Sequence, residues 1–313
     1  MRGLVAGYAL RACHRRKRAV QVAFVMAAAA LVACALANPA LGANVGPPPP
    51  APSTPPSVRE VTPTKLLTPT SSRGLWRPEP GQSWQWQLSG LPVDISVAAD
   101  IYDLDLFDTS PTTVSQLHVR GRHAICYLSA GSFEEWRPDA GLFPREVIGR
   151  AYAGWPGEWW LDIRQMDLLT PILEARLDLC QAKGFDGVEP DNIDAYQAAT
   201  GFPLAAQDQL FFNRWLASEA HARGLSIGLK NDPDQADELA DDFDWALLED
   251  CFAQGWCEAL APFSARGKMV VAVEYTDSGV DWQEACSQAG RLGFSLVLKN
   301  RELDAWRQTC EDQ

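Results

Sequence analysis

The chain has 313 residues, 47% of them hydrophobic and 21% charged, with a net charge of -13. That length and apolar content bury one large core or two small ones, which excludes a peptide, a fibre and a wholly disordered protein. Residues 1–34 carry six Lys or Arg and no acid, so the remainder sets 21 bases against 40 acids, a balance of -19 that argues against nucleic acid and for a polycationic partner. In chain order, the N-terminus reads as an export signal. A basic stretch ending RRKR precedes an apolar run from Ala19 to Ala33, shorter than a membrane span and of the right length for a signal-peptide core. Two exits are open. The small residues ALA ending at Ala37 predict ordinary cleavage, whereas LVAC ending at Cys34 resembles a bacterial lipobox, which would acylate Cys34 and anchor the chain to a membrane. Twelve of the 22 prolines then fall between Pro39 and Pro80, so residues 38–80 read as an extended, polyproline-like linker that holds a folded domain, 81–313, away from a membrane or wall.

From Trp84 short apolar runs alternate with amphipathic stretches. Strands are predicted at WQWQL from Trp84, ADIYDL from Ala99, HAICYL from His123, WWLDI from Trp159, FDGVEP from Phe185, LSIGLK from Leu225, DWALLE from Asp244, MVVAVE from Met269 and FSLVLK from Phe294. Helices are predicted over 168–184, 206–224 and 282–293, each ending in a glycine suited to a C-cap. Repeated strand–helix units with apolar strands mean a parallel sheet, and the length suits an α/β fold of the (β/α)8 TIM-barrel kind. One of the nine strand candidates is therefore surplus to eight places, and WWLDI, which follows a Trp- and Gly-rich stretch, is the first suspect. No GxGxxG or GxxxxGKS loop follows a strand, so neither a doubly wound nucleotide-binding sheet nor a cofactor is expected.

Beyond the signal the cysteines are Cys126, Cys180, Cys251, Cys257, Cys286 and Cys310, enough for up to three disulfides in a chain that leaves the cytosol. Cys251 and Cys257 can close one tight loop. The pairing is otherwise open, and the apolar setting of Cys126 suits a buried free thiol equally well. There is no CxxC, and His118, His123 and His221 lack HxxxH or HxH spacing, so no metal is expected.

In such a barrel the active site forms where strands pass into their C-terminal loops. Trp86, Asp103, Tyr127, Glu189, Asp191, Asn192, Asp194, Lys230, Glu249, Asp250, Glu274 and Tyr275 all stand at such places. Of Asp103 and Asp105, one is expected in the site and the other at the surface. Paired carboxylates are what glycoside cleavage requires, one protonating the leaving oxygen while the other attacks the anomeric carbon or activates water. Trp86 would offer a sugar platform. Lys230 would either hold Glu189 or Asp191 ionised or form a structural salt bridge. No GxSxG elbow competes for the chemistry.

The segments ICYLSAGSFEEWRPD, KGFDGVEPDNID and GLSIGLKND, with Glu249 and Asp250 before CF, resemble glycoside hydrolase family 114, the endo-alpha-1,4-polygalactosaminidases, over residues 80 to 305. The resemblance implies a (β/α)8 barrel that cleaves alpha-1,4-linked galactosamine polymers internally. Asp191 and Glu249 would be its catalytic acids, and Asp103, Tyr127, Lys230 and Glu274 would line the cleft. The acidic chain suits a cationic amino-sugar polysaccharide. Retention is expected, with Asp191 as nucleophile and Glu249 as acid/base; a carboxyl spacing of about 5 to 5.5 Å goes with retention and about 6.5 to 9.5 Å with inversion. The expected protein is a secreted or envelope-bound monomer. A noncatalytic polysaccharide-binding barrel with the same cleft is the alternative.

Overall fold

The computed structural model describes residues 74–312. The signal segment, Cys34 and most of the proline-rich stretch lie outside the described residues. Twelve strands follow in order: β1 (Trp84–Gln87), β2 (Ile101–Asp105), β3 (His123–Ser129), β4 (Ser132–Glu134), β5 (Ile148–Ala151), β6 (Glu158–Leu161), β7 (Gly187–Asp191), β8 (Ser226–Lys230), β9 (Trp245–Glu249), β10 (Val270–Tyr275), β11 (Ser295–Lys299) and β12 (Arg307–Thr309). The helices are α1 (Pro111–Val119), α2 (Met166–Lys183), α3 (Ala206–Ala222), the short α4 (Ala236–Leu239), α5 (Cys251–Gln254) and α6 (Ala261–Ala265), and α7 (Trp282–Leu292).

Eight strands pair in parallel in the order β1-β2-β3-β7-β8-β9-β10-β11, the run of a TIM barrel. The surplus candidate is the expected one. WWLDI supplies β6, which pairs antiparallel with β4 and β5 in a separate three-stranded sheet inserted between β3 and α2. The three predicted helices appear as α2, α3 and α7, and the glycines after them, Gly184, Gly224 and Gly293, take positive φ as C-terminal stops.

The seam between β11 and β1 is bridged by the C-terminal segment. Antiparallel β12 pairs with β11, while Gln85 donates to Ala305 O (2.8 Å) and Leu88 N to Leu303 O (2.9 Å). Inside the barrel, Trp84, Trp86, Ile101, Trp245, Leu247 and Val271 form a packed core, with Trp84 and Trp245 5.0 Å apart between ring centroids. A larger apolar layer lies between the strands and the helices.

At the N-terminal ends of the strands the first described residues are strapped down. Trp76 stacks on His123 at 4.1 Å, and Arg77 Nε bonds Asp244 at 2.5 Å. Both residues fall in the stretch read as linker, so the packed domain begins before residue 81; an aromatic ring and a paired guanidinium give this end of a proline-rich segment something to bury. Three disulfides form, Cys126–Cys180, Cys251–Cys257 and Cys286–Cys310, which removes the free-thiol alternative for Cys126.

Candidate active site

Strand alternation places the acids. In β7, Glu189 and Asp191 are two residues apart and share the barrel-lining face, while Val188 packs outward against the helices. Lys230 ends β8, between β7 and β9, and reaches both neighbours. Its Nζ lies 3.0 Å from Glu189 Oε1, 2.9 Å from Asp191 Oδ1 and 3.0 Å from Glu249 Oε2. Burial works against the ammonium charge, but Asp191, Glu189 and Glu249 outweigh it and hold Lys230 well above its ordinary pKa. The Trp86 ring lies beneath, 4.8 Å from Nζ.

Exposure separates the acids around this lysine. The Asp191 and Glu249 side chains keep 20% and 27% of their surface, whereas Glu189 keeps none. Asp103 is likewise fully buried. Burial, then the neighbouring Glu189 charge, pushes Asp103 well above the carboxylate range; burial, partly offset by Lys230, lifts Glu189 to about 7. Both Asp103 oxygens and Glu189 Oε2 lack a donor among the described residues, and one proton held between the two carboxyls would satisfy Glu189 Oε2 and one of the Asp103 oxygens.

The open acids are each held by a tyrosine. Tyr127 OH donates to Asp191 Oδ2 at 2.9 Å, and Asn192 N donates to Oδ1 at 2.8 Å. Tyr275 OH donates to Glu249 Oε1, and Arg301 stacks on the Tyr275 ring at 4.1 Å. Asn231 Oδ1 accepts from Glu249 N at 3.0 Å.

The inserted sheet braces Asp191 from behind. Asn192, at φ 64, donates from Nδ2 to Ser129 Oγ (2.9 Å), Ser132 Oγ (3.0 Å) and Glu158 Oε1 (3.1 Å). Gly131 permits this approach, since a Cβ there would stand 1.7 Å from the Asn192 carbonyl oxygen. Burial, then the Asp191 charge against a hydrogen bond from Ser132, leaves Glu158 at about 7. Tyr152, between β5 and β6, is raised by burial and by the charges of Asp191, Asp194 and Glu249. Burial and Asp191 lift Asp194 to about 6.

Tyr127, Glu189, Asp191, Lys230 and Glu249 thus converge, with Asp103 and Trp86 as floor. Several sequence expectations change. Trp86 is buried and offers no open sugar platform, because both Trp84 and Trp86 point into the barrel. Asp103 and Glu189 lie beneath the cleft surface rather than lining it. Asp105 is not a surface residue, being buried against Arg137 at 2.6 Å. Glu274 faces away, where Oε1 accepts from Phe252 N (2.7 Å) at the start of α5, and burial holds it at about 7. Asp250 pairs with Arg301 at 3.1 Å instead of joining the lysine cluster, and Asn192 braces a loop rather than facing the cleft. The sequence reading gives Tyr275 a place at a strand end but no role, and it does not single out Tyr152 or Glu158. The inward parity of Val271, Val273 and Tyr275 was the available signal for the first; the other two sit on the insert, whose short strands carry little periodicity. Among the described residues no group of three His, Cys, Asp or Glu side chains is arranged to hold a metal.

Comparison with known proteins gives a consistent result. Residues 66–313 match glycoside-hydrolase family GH114. The crystal structure of Aspergillus fumigatus Ega3 in complex with galactosamine is 39% identical, with a TM-score of 0.72 over 77% of this chain and 100% of that one. The glycoside hydrolase domain of PelA from Pseudomonas aeruginosa shares the fold at 16% identity and a TM-score of 0.57, over 72% of this chain and 98% of that domain. An uncharacterized protein of Deinococcus radiodurans is 28% identical over 256 residues, 71% of this chain and 82% of its own.

Proposed function

The chain belongs to glycoside-hydrolase family GH114, and from that premise we propose that it is an exported endo-hydrolase of alpha-1,4-linked galactosamine polymers, with Asp191 and Glu249 as its catalytic acids. The observation that carries this reading is the single Lys230 ammonium shared by the two acids that open to the cleft. Two oxygens each bonded to one nitrogen lie no more than about 6 Å apart, which supports retention over the wider spacing of inverting enzymes. Asp191, which accepts from Lys230, Tyr127 and Asn192, attacks the anomeric carbon while Glu249 gives its proton to the glycosidic oxygen, and the C–O bond breaks. Glu249 then takes a proton from water, which attacks the glycosyl ester and frees Asp191.

The substrate assignment rests on the galactosamine bound by the 39% identical Ega3 and on the excess of acids in this chain, which favours a cationic polymer. Export is supported by the N-terminal signal pattern and the three disulfides, with anchoring through Cys34 as the variant that a lipid label would detect.

The test is a reducing-end assay on polymeric galactosamine. Asp191→Asn and Glu249→Gln are each expected to lower kcat by about 10²–10⁴-fold with unfolding unchanged. Full activity in the double variant would sink the assignment of the acids, and polymer binding without new reducing ends would make this a binding barrel.

A further inference from the structure

The inserted sheet exposes a surface that the acid pair does not use. Trp136 and Trp155 are 52% and 50% exposed, unusual for indoles in a chain whose barrel tryptophans are buried. The exposed Glu135 stands beside them. All three meet at one corner, where Glu135 N donates to Gly157 O at 2.9 Å and Glu158 N donates to Trp155 O at 3.2 Å. Gly157 lets the corner close, because a Cβ there would stand 2.8 Å from Glu135 Oε1 and 3.1 Å from Trp136 Cζ3. The neighbouring Arg137 does not cancel the carboxylate, being buried on Asp105 at 2.6 Å and Glu134 at 2.7 Å.

Hydrogen bonds of the insert tie this corner to the active site. Glu158 bonds Asn192, the residue after Asp191, and Trp155 N donates to the carbonyl of Tyr152, which lies within the field of the catalytic acids. Trp155 is three residues from Glu158, so its Cα lies within about 11 Å of Glu158 Cα. An indole face stacks on the apolar face of a sugar ring, and both the ring and an adjacent carboxylate attract an ammonium group.

We propose that Glu135, Trp136 and Trp155 form a distal subsite that grips a cationic amino-sugar stretch of the polymer as it leaves the cleft. The inference rests on the hydrolase reading above and extends it from the scissile bond to the chain beyond.

The purified full chain is assayed on polymeric alpha-1,4-galactosamine and on its short oligomers. In Trp136→Ala/Trp155→Ala the ratio of polymer to oligomer kcat/KM falls about tenfold, and in Glu135→Gln severalfold. Capture on insoluble polymer, measured with Asp191→Asn added so that nothing is cleaved, falls in step. Phe211→Ala, which removes an exposed ring on α3, leaves both readouts unchanged. Polymer and oligomer rates that fall together, or undiminished capture, overturn the subsite and leave the hydrolase standing. A parent protein that neither cleaves nor captures the polymer overturns the hydrolase reading, and the subsite with it.

Discussion

Lys230 is the residue on which the site turns. In the sequence it stood apart among acids, with Glu189 or Asp191 as its partner; strand order puts it between β7 and β9, where it takes both and Glu249 as well. Removing it leaves Glu189 buried without a counter-charge, so Lys230→Met is expected to lower stability by about 3 kcal/mol and to abolish most turnover. Most of that loss belongs to Glu189, since the part-exposed Asp191 and Glu249 are screened by solvent. Lys230→Arg should not restore activity, because a planar fork cannot replace one nitrogen shared three ways. Urea unfolding and the reducing-end assay check both; a Met variant as stable as the parent would show that the lysine is dispensable to the fold. The acids at strand ends were legible because each follows an apolar run. Trp86 and Glu274 were misjudged because position at a strand end says nothing of which face a side chain takes.

At the scale of elements, the eight barrel strands were legible as short apolar runs, and the ninth stood out by its loop-like flank. The insert was not legible. Its strands are three or four residues long with mixed polarity, and their arrangement depends on contacts far apart in sequence, such as Asn192 with Ser132 and Glu158. The tight Cys251–Cys257 loop was legible from its spacing, but the partner of Cys126 was not, since Cys126 of β3 meets Cys180 of α2 across 54 residues. The brace predicts that Gly131→Ala displaces the Asp191–Asn192 turn, costing about 1–3 kcal/mol of stability and lowering kcat more than it raises KM. A thermal melt with initial-rate kinetics tests this, and a variant with parental kcat would mean that the turn tolerates the displacement.

At the scale of the whole molecule, burial pushes several carboxyls of the described residues above their ordinary range. Burial lifts Glu158, Glu189 and Glu274 to about 7, Asp194 to about 6 and Asp232 to about 8. Each binds its proton more tightly when folded, so each contributes stability that is complete below its unfolded value and lost as pH rises through its folded one. Asp186 and Asp244 act in the opposite sense. Burial opposes their charge, but hydrogen bonds from His123, Ala124 and His118, and from His221, Arg77 and Ile227, hold both below the ordinary range. Their contribution is present above the unfolded value and lost as pH falls through the folded one. Melting temperature is therefore expected to peak between about pH 4 and 5 and to decline toward pH 8. A melting temperature that climbed steadily across that range would contradict the assignment of these buried acids.

The strap formed by Trp76 and Arg77 fixes where load enters the molecule. Trp76 lies against the first residue of β3 and Arg77 against the residue before β9, whereas Asp191 and Glu249 end their strands. A support attached upstream therefore pulls on the rim opposite the acids. An immobilised molecule would turn its cutting edge outward, free to meet a polymer too large to diffuse past the support.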